Sequence, residues 1–273
     1  MDKFGHYTSQ IGLLGIVRNN CLWATNIGFL NDEQEFFHAL ELIRGIISNA
    51  PGIPESDQNQ NLYKKFIGNI ENCLIKLETH TSESIFTFSV SKELDLLSQW
   101  RGYCPDNNGY CLVFNIGKIL ECIKEEYPDS YLKQCVYDKE LKEQSIKSLL
   151  NDSWFGYRDS ESDEERKSML DSFLNEITLL ASYFKHPSFS EENEWRLIVK
   201  LDYAADEEIK FREGKSYLIP YIELPFDFSF LSSIVIGPTS NKDLAKKACA
   251  LFLEKEEGHP FTGINHSEIP YRT

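Results

Sequence analysis

The sequence lacks the main features of membrane, secreted and zinc-binding proteins. No stretch approaches the ~18 consecutive apolar residues that a membrane-spanning helix needs, and the N-terminus has neither the charged start nor the apolar run of a signal peptide. The seven cysteines are odd in number and never spaced as CxxC, which favours reduced thiols over a disulfide framework or a zinc site. These absences predict a cytoplasmic protein without membrane association.

Basic charge is also scarce. The chain has 28 Lys and Arg against 43 Asp and Glu, which gives a net charge of −15. Because phosphate affinity comes mainly from Lys and Arg displacing counterions, this charge disfavours non-specific binding to nucleic acid. The glycine-rich nucleotide loops, the HExxH zinc motif and the GxSxG nucleophile motif are absent as well.

The composition that remains is that of a folded globule, with 41% hydrophobic and 13% aromatic residues. Strands and helices alternate early, and strands cluster after His186. The pattern predicts an α+β fold, with a mixed, mostly antiparallel sheet in a single domain over residues 1–273. It also predicts a mainly helical insertion around 138–185, interrupted at Phe155 and Gly156.

Periodicity and turn residues predict the individual elements. Early strands are expected at 4–8, 21–25, 84–90, 110–115 and 131–137. Helices are expected at about 10–18, 32–48, from 62 onward, up to 103 and at 240–254.

The first candidate site residues lie at the end of the first predicted strand and at the start of the second predicted helix. His6 can hydrogen-bond a ligand hydroxyl, and Thr8 and Ser9 can cap the helix that follows. Asn31 and Asp32 could hold a ligand at the rim of a site, although capping a helix explains them as well. A lone histidine is more often a surface or core residue, so these positions do not establish a site.

A second group lies between two predicted strands. Ser89 faces the opposite side of its strand from Phe88, and Trp100 and Tyr103 are three apart on a helix. Such an aromatic pair suits a hydrophobic core or a platform for a cofactor ring. Core packing is the commoner use.

The segment from Ser190 to Ile198 has the most informative pattern. Glu192, Glu194 and Arg196 alternate at the start of an apolar strand, so in extended geometry their side chains share one face. They form either a surface charge ladder or a pair of carboxylates suited to sugar chemistry, in which one stabilises an oxocarbenium-like centre and the other steers the acceptor. Lys185, just upstream, is a candidate phosphate contact.

In order, the segments HYTS, LWAT with LND and Glu35, FTFS, QWRGY, GYCLVF and EENEWRL resemble a bacterial family filed as domain of unknown function 2971. The resemblance runs from His6 to about Gly237. It implies continuity of fold and no established activity.

The opening segment also resembles DNA-targeting ADP-ribosyltransferase toxins and RNA 2′-phosphotransferases. Their superfamily brings three strand-borne residues to NAD: a His or Arg, a Tyr or Ser, and a late Glu. His6 matches the first position and Glu194 the last, with Glu192 completing an E-x-E. Ser89, Tyr103 and Tyr110 all remain candidates for the middle position.

This second resemblance implies an NAD-consuming transferase or glycohydrolase that needs no metal, with NAD in a split of the sheet. His6, Glu192 and Glu194 would be catalytic, and Trp100 or Tyr103 would pack on the nicotinamide. Residues expected around NAD are His6, Tyr7, Thr8, Asn31, Asp32, Ser89, Trp100, Tyr103, Lys185 and Arg196. The acceptor is left open between protein, nucleic acid and water. A regulatory protein partner and a toxin-like role in defence against phage rest on resemblance alone.

Two alternatives remain at this level. One is a metal-dependent nuclease or hydrolase with Asp32, Glu35, Glu192 and Glu194 as ligands. The other is a non-catalytic module that uses the same cleft to bind a ligand or a protein partner.

Overall fold

A computed structural model describes residues 3–30, 34–50, 52, 58–80, 85–104, 109–201 and 206–270. The candidate residues Asn31 and Asp32 lie outside this described part.

The helices form close to where the periodicity predicts them. The described α-helices are α1 (Gln10–Asn19), α2 (Gln34–Ser48), α3 (Gln60–His80), α4 (Leu97–Tyr103), α5 (Ile116–Glu126), α6 (Lys139–Asp159), α7 (Asp163–Tyr183) and α8 (Lys242–Glu257). Ser9 caps α1, since its hydroxyl accepts a hydrogen bond from the backbone of Gly12 at 3.2 Å. This confirms the predicted capping role of Ser9.

The early strands also form close to where they are predicted, except that the one predicted at 131–137 is shorter. The strands are β1 (Lys3–Ser9), β2 (Cys21–Asn26), β3 (Ile85–Ser91), β4 (Gly109–Asn115), β5 (Ser130–Gln134), β6 (Glu194–Lys200), β7 (Lys210–Glu213), β8 (Leu218–Pro225), β9 (Leu231–Ile236) and β10 (Ile264–His266). The last of these was not predicted, because three residues are too few to show an alternating pattern.

These strands form one ten-stranded sheet, in the order β10-β9-β4-β1-β3-β2-β8-β7, with β6 pairing to both β3 and β5. The pair β1–β4 is antiparallel over its whole length, and β9–β10 is parallel. The α+β class with a mostly antiparallel sheet is therefore confirmed. Between β1 and β3 the register contains a single pair, Gly5 opposite Ser91, so these two central strands separate beyond that point.

Alternate residues of the central strands pack into two different apolar clusters. Phe4 of β1, Phe88 of β3 and Leu112 of β4 belong to the main core. Tyr7 and Cys111 belong to a smaller cluster with Trp100. Because successive side chains of a strand point to opposite faces, both faces of the sheet are covered here, and polar side chains on these strands are held in a packed environment.

The chain divides into two compact units. The first unit contains Met1–Thr25, Phe86–Gln134 and Glu191–Thr273, and the second contains Asn26–Ile85 and Cys135–Ser190. Helices α2, α3, α6 and α7 lie in the second unit, which therefore includes the predicted helical segment around 138–185. The assignment of 1–273 to one domain stays a prediction.

The predicted helix break at Phe155 and Gly156 is wrong. Helix α6 continues to Asp159, and the break falls just before α7, whose N-cap is Ser162. An interior glycine costs a helix only about 1 kcal/mol relative to alanine. At Gly156 an added Cβ would lie 2.3 Å from Cε of Met169, so the glycine gives that side chain room to pack.

The strand predicted at 131–137 is too long. It ends at Gln134, and Val136 forms an isolated bridge with Phe184.

Within the described residues, no helix is long and apolar enough to cross a membrane.

Candidate functional site

A pocket opens in the first unit where β1 and β3 separate. It encloses about 350 Å³ of space, a figure that includes the open solvent at its mouth. Six residues predicted from the sequence line it, namely His6, Tyr7, Ser89, Tyr103, Glu192 and Glu194. Residues from β1, β3, α4 and the start of β6 thus meet in one cavity.

Glu194 is the most tightly held side chain of the pocket. It begins β6, beside β3, and only 6% of it is exposed. The hydroxyl of Ser89 donates to Oε1 of Glu194 at 2.6 Å. Charge-assisted hydrogen bonds this short are among the stronger ones in proteins, so Ser89 fixes one oxygen of this carboxylate.

Arg196 is the second partner of the Glu194 carboxylate. Its Nε donates to Oε1 at 2.9 Å, and its Nη2 lies 3.5 Å from Oε2. Arg196 is only 2% exposed, so the two residues form a buried ion pair in which each charge compensates the other. Arg196 was predicted to contact NAD, and the structure places its guanidinium on Glu194.

His6 lines the pocket from β1. Its Nδ1 is 2.9 Å from the backbone oxygen of Ser89, and its ring packs on Phe88 with a centroid distance of 4.4 Å. Burial lowers the pKa of His6 below its usual value, although the bond to Ser89 acts in the other direction. Since a carbonyl only accepts, Nδ1 carries the proton, and the neutral ring keeps Nε2 as a hydrogen-bond acceptor.

The turn that presents the two glutamates differs from the predicted extended geometry. Glu192 ends a 3₁₀ turn (Pro187–Glu192), and Asn193 has a φ of 43°. The prediction that Glu192 and Glu194 share a face of one extended strand is therefore wrong, yet both line the pocket. Asparagine tolerates this left-handed conformation better than most residues do.

Contacts with the end of β3 hold this turn in place. Ser91 donates its hydroxyl to the backbone oxygen of Glu192 at 2.6 Å, and the backbone of Lys92 donates to that of Asn193 at 3.2 Å. The side chain of Asn193 donates to Oε1 of Glu93 at 3.3 Å and accepts from Gln134 at 3.2 Å. The position of Glu192 is thus set by tertiary contacts.

The two aromatic candidates have different environments. Tyr103 is 36% exposed and lines the pocket. Trp100 is 3% exposed, packs against Tyr7 at 4.7 Å and donates its Nε1 to Asp95 at 2.7 Å. Tyr103 is therefore placed to meet a ligand ring, and Trp100 lies in the core.

Tyr7 lines the pocket, whereas Thr8, the next residue of β1, is not one of its lining residues. The hydroxyl of Tyr7 donates to the backbone oxygen of Glu93 at 2.8 Å and accepts from the backbone of Leu96 at 3.0 Å. Burial raises its pKa. The backbone oxygen of Thr8 accepts from Sγ of Cys104 at 3.4 Å.

The three candidates for the middle residue of the predicted NAD site have different surroundings in the structure. Ser89 donates to Glu194 and lines the pocket, and Tyr103 lines the same pocket. Tyr110 is 8% exposed and belongs to the main hydrophobic core. Ser89 is thus the candidate that the structure places beside both His6 and Glu194.

Lys185 and Glu35 belong to the second unit. Lys185 is 2% exposed, and its Nζ lies 3.8 Å from Oε1 of Glu35. Lys142 donates to the backbone oxygen of Lys185 at 2.5 Å. Both candidates therefore belong to a buried charge cluster of that unit.

In the described part of the chain, no group of three or more His, Cys, Asp and Glu residues is arranged to hold a metal ion.

The comparisons with known proteins bear on this geometry. Residues 99–197 match the family model described as Protein of unknown function (DUF2971). This supports the first resemblance over that segment, which includes Tyr103, Glu192 and Glu194, whereas His6 and Ser89 precede it. No curated protein and no solved structure matches the chain.

Sequence reasoning missed two residues of the site. Gln99 is 6% exposed and lines the pocket, and Asn193 sets the turn between the glutamates. Gln99 is polar and lies one helical turn before Tyr103, and this spacing could have marked it as a candidate. Nothing local indicated the conformation of Asn193.

Proposed function

We propose that this pocket binds the nicotinamide end of NAD and cleaves its glycosidic bond, either transferring the ADP-ribose or hydrolysing NAD. The observation that carries the proposal is the set of contacts joining three strands. Ser89 of β3 donates to Glu194 of β6, and His6 of β1 bonds the backbone of the same serine. Those are the three positions that the superfamily resemblance assigns to NAD.

The reaction requires the chain to position NAD and to stabilise the charge that develops on it. The bond between nicotinamide N1 and ribose C1′ breaks, and its electron pair neutralises the positive pyridinium ring, so the leaving group needs no proton. Positive charge develops on the ribose, where the carboxylate of Glu194 stabilises it electrostatically. A water or an acceptor nucleophile then adds to C1′ and loses its proton, and with water the products are nicotinamide, ADP-ribose and a proton.

The remaining residues have roles that fit this step. Nε2 of His6 accepts a hydrogen bond from a ribose hydroxyl, and Tyr103 packs against the nicotinamide ring. The amide of Gln99 is of the right type to pair with the carboxamide of nicotinamide. Glu192 lies at the acceptor side, where it takes the proton from the incoming nucleophile.

Nicotinamide release tests this proposal. Purified protein is incubated with NAD, with and without cell lysate as a source of acceptor, and nicotinamide is followed by chromatography. Wild type should release it, and His6→Ala and Glu194→Gln should lose about a hundredfold or more in rate, since each removes a group that acts on the transition state. Glu191→Gln is the matched control, because Glu191 is exposed and adjacent in sequence but does not line the pocket.

Equal rates in the control and the Glu194→Gln variant would overturn the role given to Glu194. No release by wild type under either condition, together with no rise in melting temperature on adding NAD, would overturn the proposal. A toxin-like role in defence against phage rests on the resemblance and stays a prediction.

A further inference from the structure

A second polar feature lies on the other half of the sheet, where β2, β8 and β7 are neighbours. Thr25 is opposite Tyr221, Tyr221 is opposite Lys210, and Arg212 is opposite Ile219. Since opposite residues of antiparallel strands share a face, Trp23, Thr25, Tyr221 and Arg212 all lie on one face. All of them belong to the first unit.

Arg212 has unused hydrogen-bonding capacity in this environment. Its Nη2 donates to the hydroxyl of Thr25 at 3.2 Å. Its Nε is buried and has no hydrogen-bond partner, and none of the described acidic side chains forms an ion pair with it. The nearby carboxylate of Glu223 is bound to Lys210 at 2.6 Å.

A partly buried guanidinium with one hydroxyl as its partner is unusual, because desolvating a charge costs free energy unless a counter-charge offsets it. That cost is visible in the pKa of Arg212, which burial lowers. The planar fork of an arginine matches the oxygens of a phosphate in a bidentate manner. An anion is therefore the group that Arg212 lacks.

An aromatic pair lies on the same face, with Tyr221 on the adjacent strand β8 and Trp23 two strands away on β2. Trp23 and Tyr221 pack with a centroid distance of 4.6 Å, and Trp23 is 42% exposed. Strands β2 and β7 flank β8, so their backbones are about 10 Å apart. Trp23 is opposite Glu223 and Arg212 is opposite Ile219, so the two residues are also four positions apart along β8. The bond from Arg212 to Thr25 brings the guanidinium across β8 towards Trp23. An exposed indole supported by a tyrosine provides a surface on which a flat heterocyclic ring can stack.

We propose that Arg212 and the Trp23–Tyr221 aromatic pair form a binding site for a mononucleotide, with its phosphate on Arg212 and its base on Trp23. A mononucleotide is preferred to a nucleic acid strand because the chain carries a net charge of −15, which repels a polyanion. This proposed site is independent of the proposed NAD chemistry.

Calorimetric titration of the full chain with 5′-AMP tests the site. Wild type should bind AMP saturably, and adenosine and inorganic phosphate should each bind at least about tenfold more weakly, because each supplies half of the contacts. Arg212→Gln and Trp23→Ala should each weaken AMP binding about tenfold or more. Arg212→Lys keeps the charge without the fork and should fall between them and wild type.

Lys215→Gln is the matched control. It removes one positive charge from the exposed turn between β7 and β8, and it should bind AMP as wild type does. If Arg212→Gln does not fold, as judged by its melting transition, Arg212→Lys and Trp23→Ala still decide the question.

Three outcomes would overturn the proposal. They are AMP affinity in the Arg212 and Trp23 variants within about twofold of wild type, no saturable binding of AMP by wild type, and tighter binding of a short oligothymidylate than of AMP. The nicotinamide-release assay does not require this site. A failure here is therefore distinguishable from a failure of the proposed NAD chemistry.

Discussion

Asn193 is the residue on which the geometry of the site depends most. It separates the two glutamates of the pocket, has a φ of 43° and is held by its side chain on both sides. We expect Asn193→Val to lose about 1–3 kcal/mol of unfolding free energy, because a β-branched residue is strained in this conformation. Asn193→Gly should lose less, since glycine adopts it freely.

Urea denaturation of the two variants measures this difference. The same pair separates positioning from folding, because Asn193→Gly should retain more NAD cleavage than Asn193→Val at a temperature where both are folded. Equal stability and equal activity of the two would show that the left-handed turn has no role.

The buried pair of Glu194 and Arg196 predicts a non-additive response. Arg196→Met leaves the carboxylate of Glu194 buried without its counter-charge, and we expect a loss of about 3–5 kcal/mol. The double variant Glu194→Gln with Arg196→Met removes both charges and should be more stable than Arg196→Met alone. Additive losses in urea denaturation would contradict the pairing seen at 2.9 Å.

His6 predicts a pH dependence of stability. Its folded pKa is lowered by burial, so below its unfolded value of about 6.5 the unfolded chain binds more protons than the folded one. The unfolding free energy should therefore fall as the pH falls through 6.5, by at most about 1.4 kcal/mol per pH unit for one group. Stability measured from pH 7.5 to 5 should decline more steeply in wild type than in His6→Gln, and parallel curves would contradict the assignment.

At the scale of elements, the junction of α6 and α7 depends on a cap. Ser162 accepts from the backbone of Glu165 at 3.1 Å, and Glu161, Ser162 and Glu165 surround the start of α7. Ser162→Ala should lose about 1 kcal/mol of unfolding free energy. Ser168→Ala, an exposed change within the same helix, should stay within about 0.5 kcal/mol of wild type in the same denaturation experiment.

Most elements were predictable because their patterns are local. The alternation in β3, the continuous apolar run of β4 and the apolar spacing in α2 show directly in the sequence. The break between α6 and α7 was misplaced because Gly156 has the same local signature as a helix end, and its actual role depends on Met169. Such tertiary requirements have no sequence signal of their own.

The site was predicted as a set of residues more readily than as a geometry. His6, Ser89, Glu192 and Glu194 were all named, and the structure brings them into one pocket. The sequence could not show which of Trp100 and Tyr103 lies in the pocket. A spacing of three residues along α4 does not distinguish a core residue from an exposed one. Lys185 was a candidate because it is close in sequence to Glu192 and Glu194, yet it belongs to the second unit.

At the scale of the whole molecule, the family match crosses both units. Its residues 99–197 run from α4 through the helices α6 and α7 and return at β6. The segment therefore ends with the turn that carries Glu192 and Glu194. The other half of the pocket, on β1 and β3, comes from residues before the match, so the candidate site needs both parts of the chain.

The most direct test of this account is a crystal structure of the Glu194→Gln variant with NAD, since slowing the chemistry should preserve the intact ligand. We expect the nicotinamide end between Tyr103 and Gln99, with a ribose hydroxyl within hydrogen-bond distance of His6. NAD bound elsewhere on the chain would contradict the account. So would an empty pocket at a concentration of NAD that raises the melting temperature.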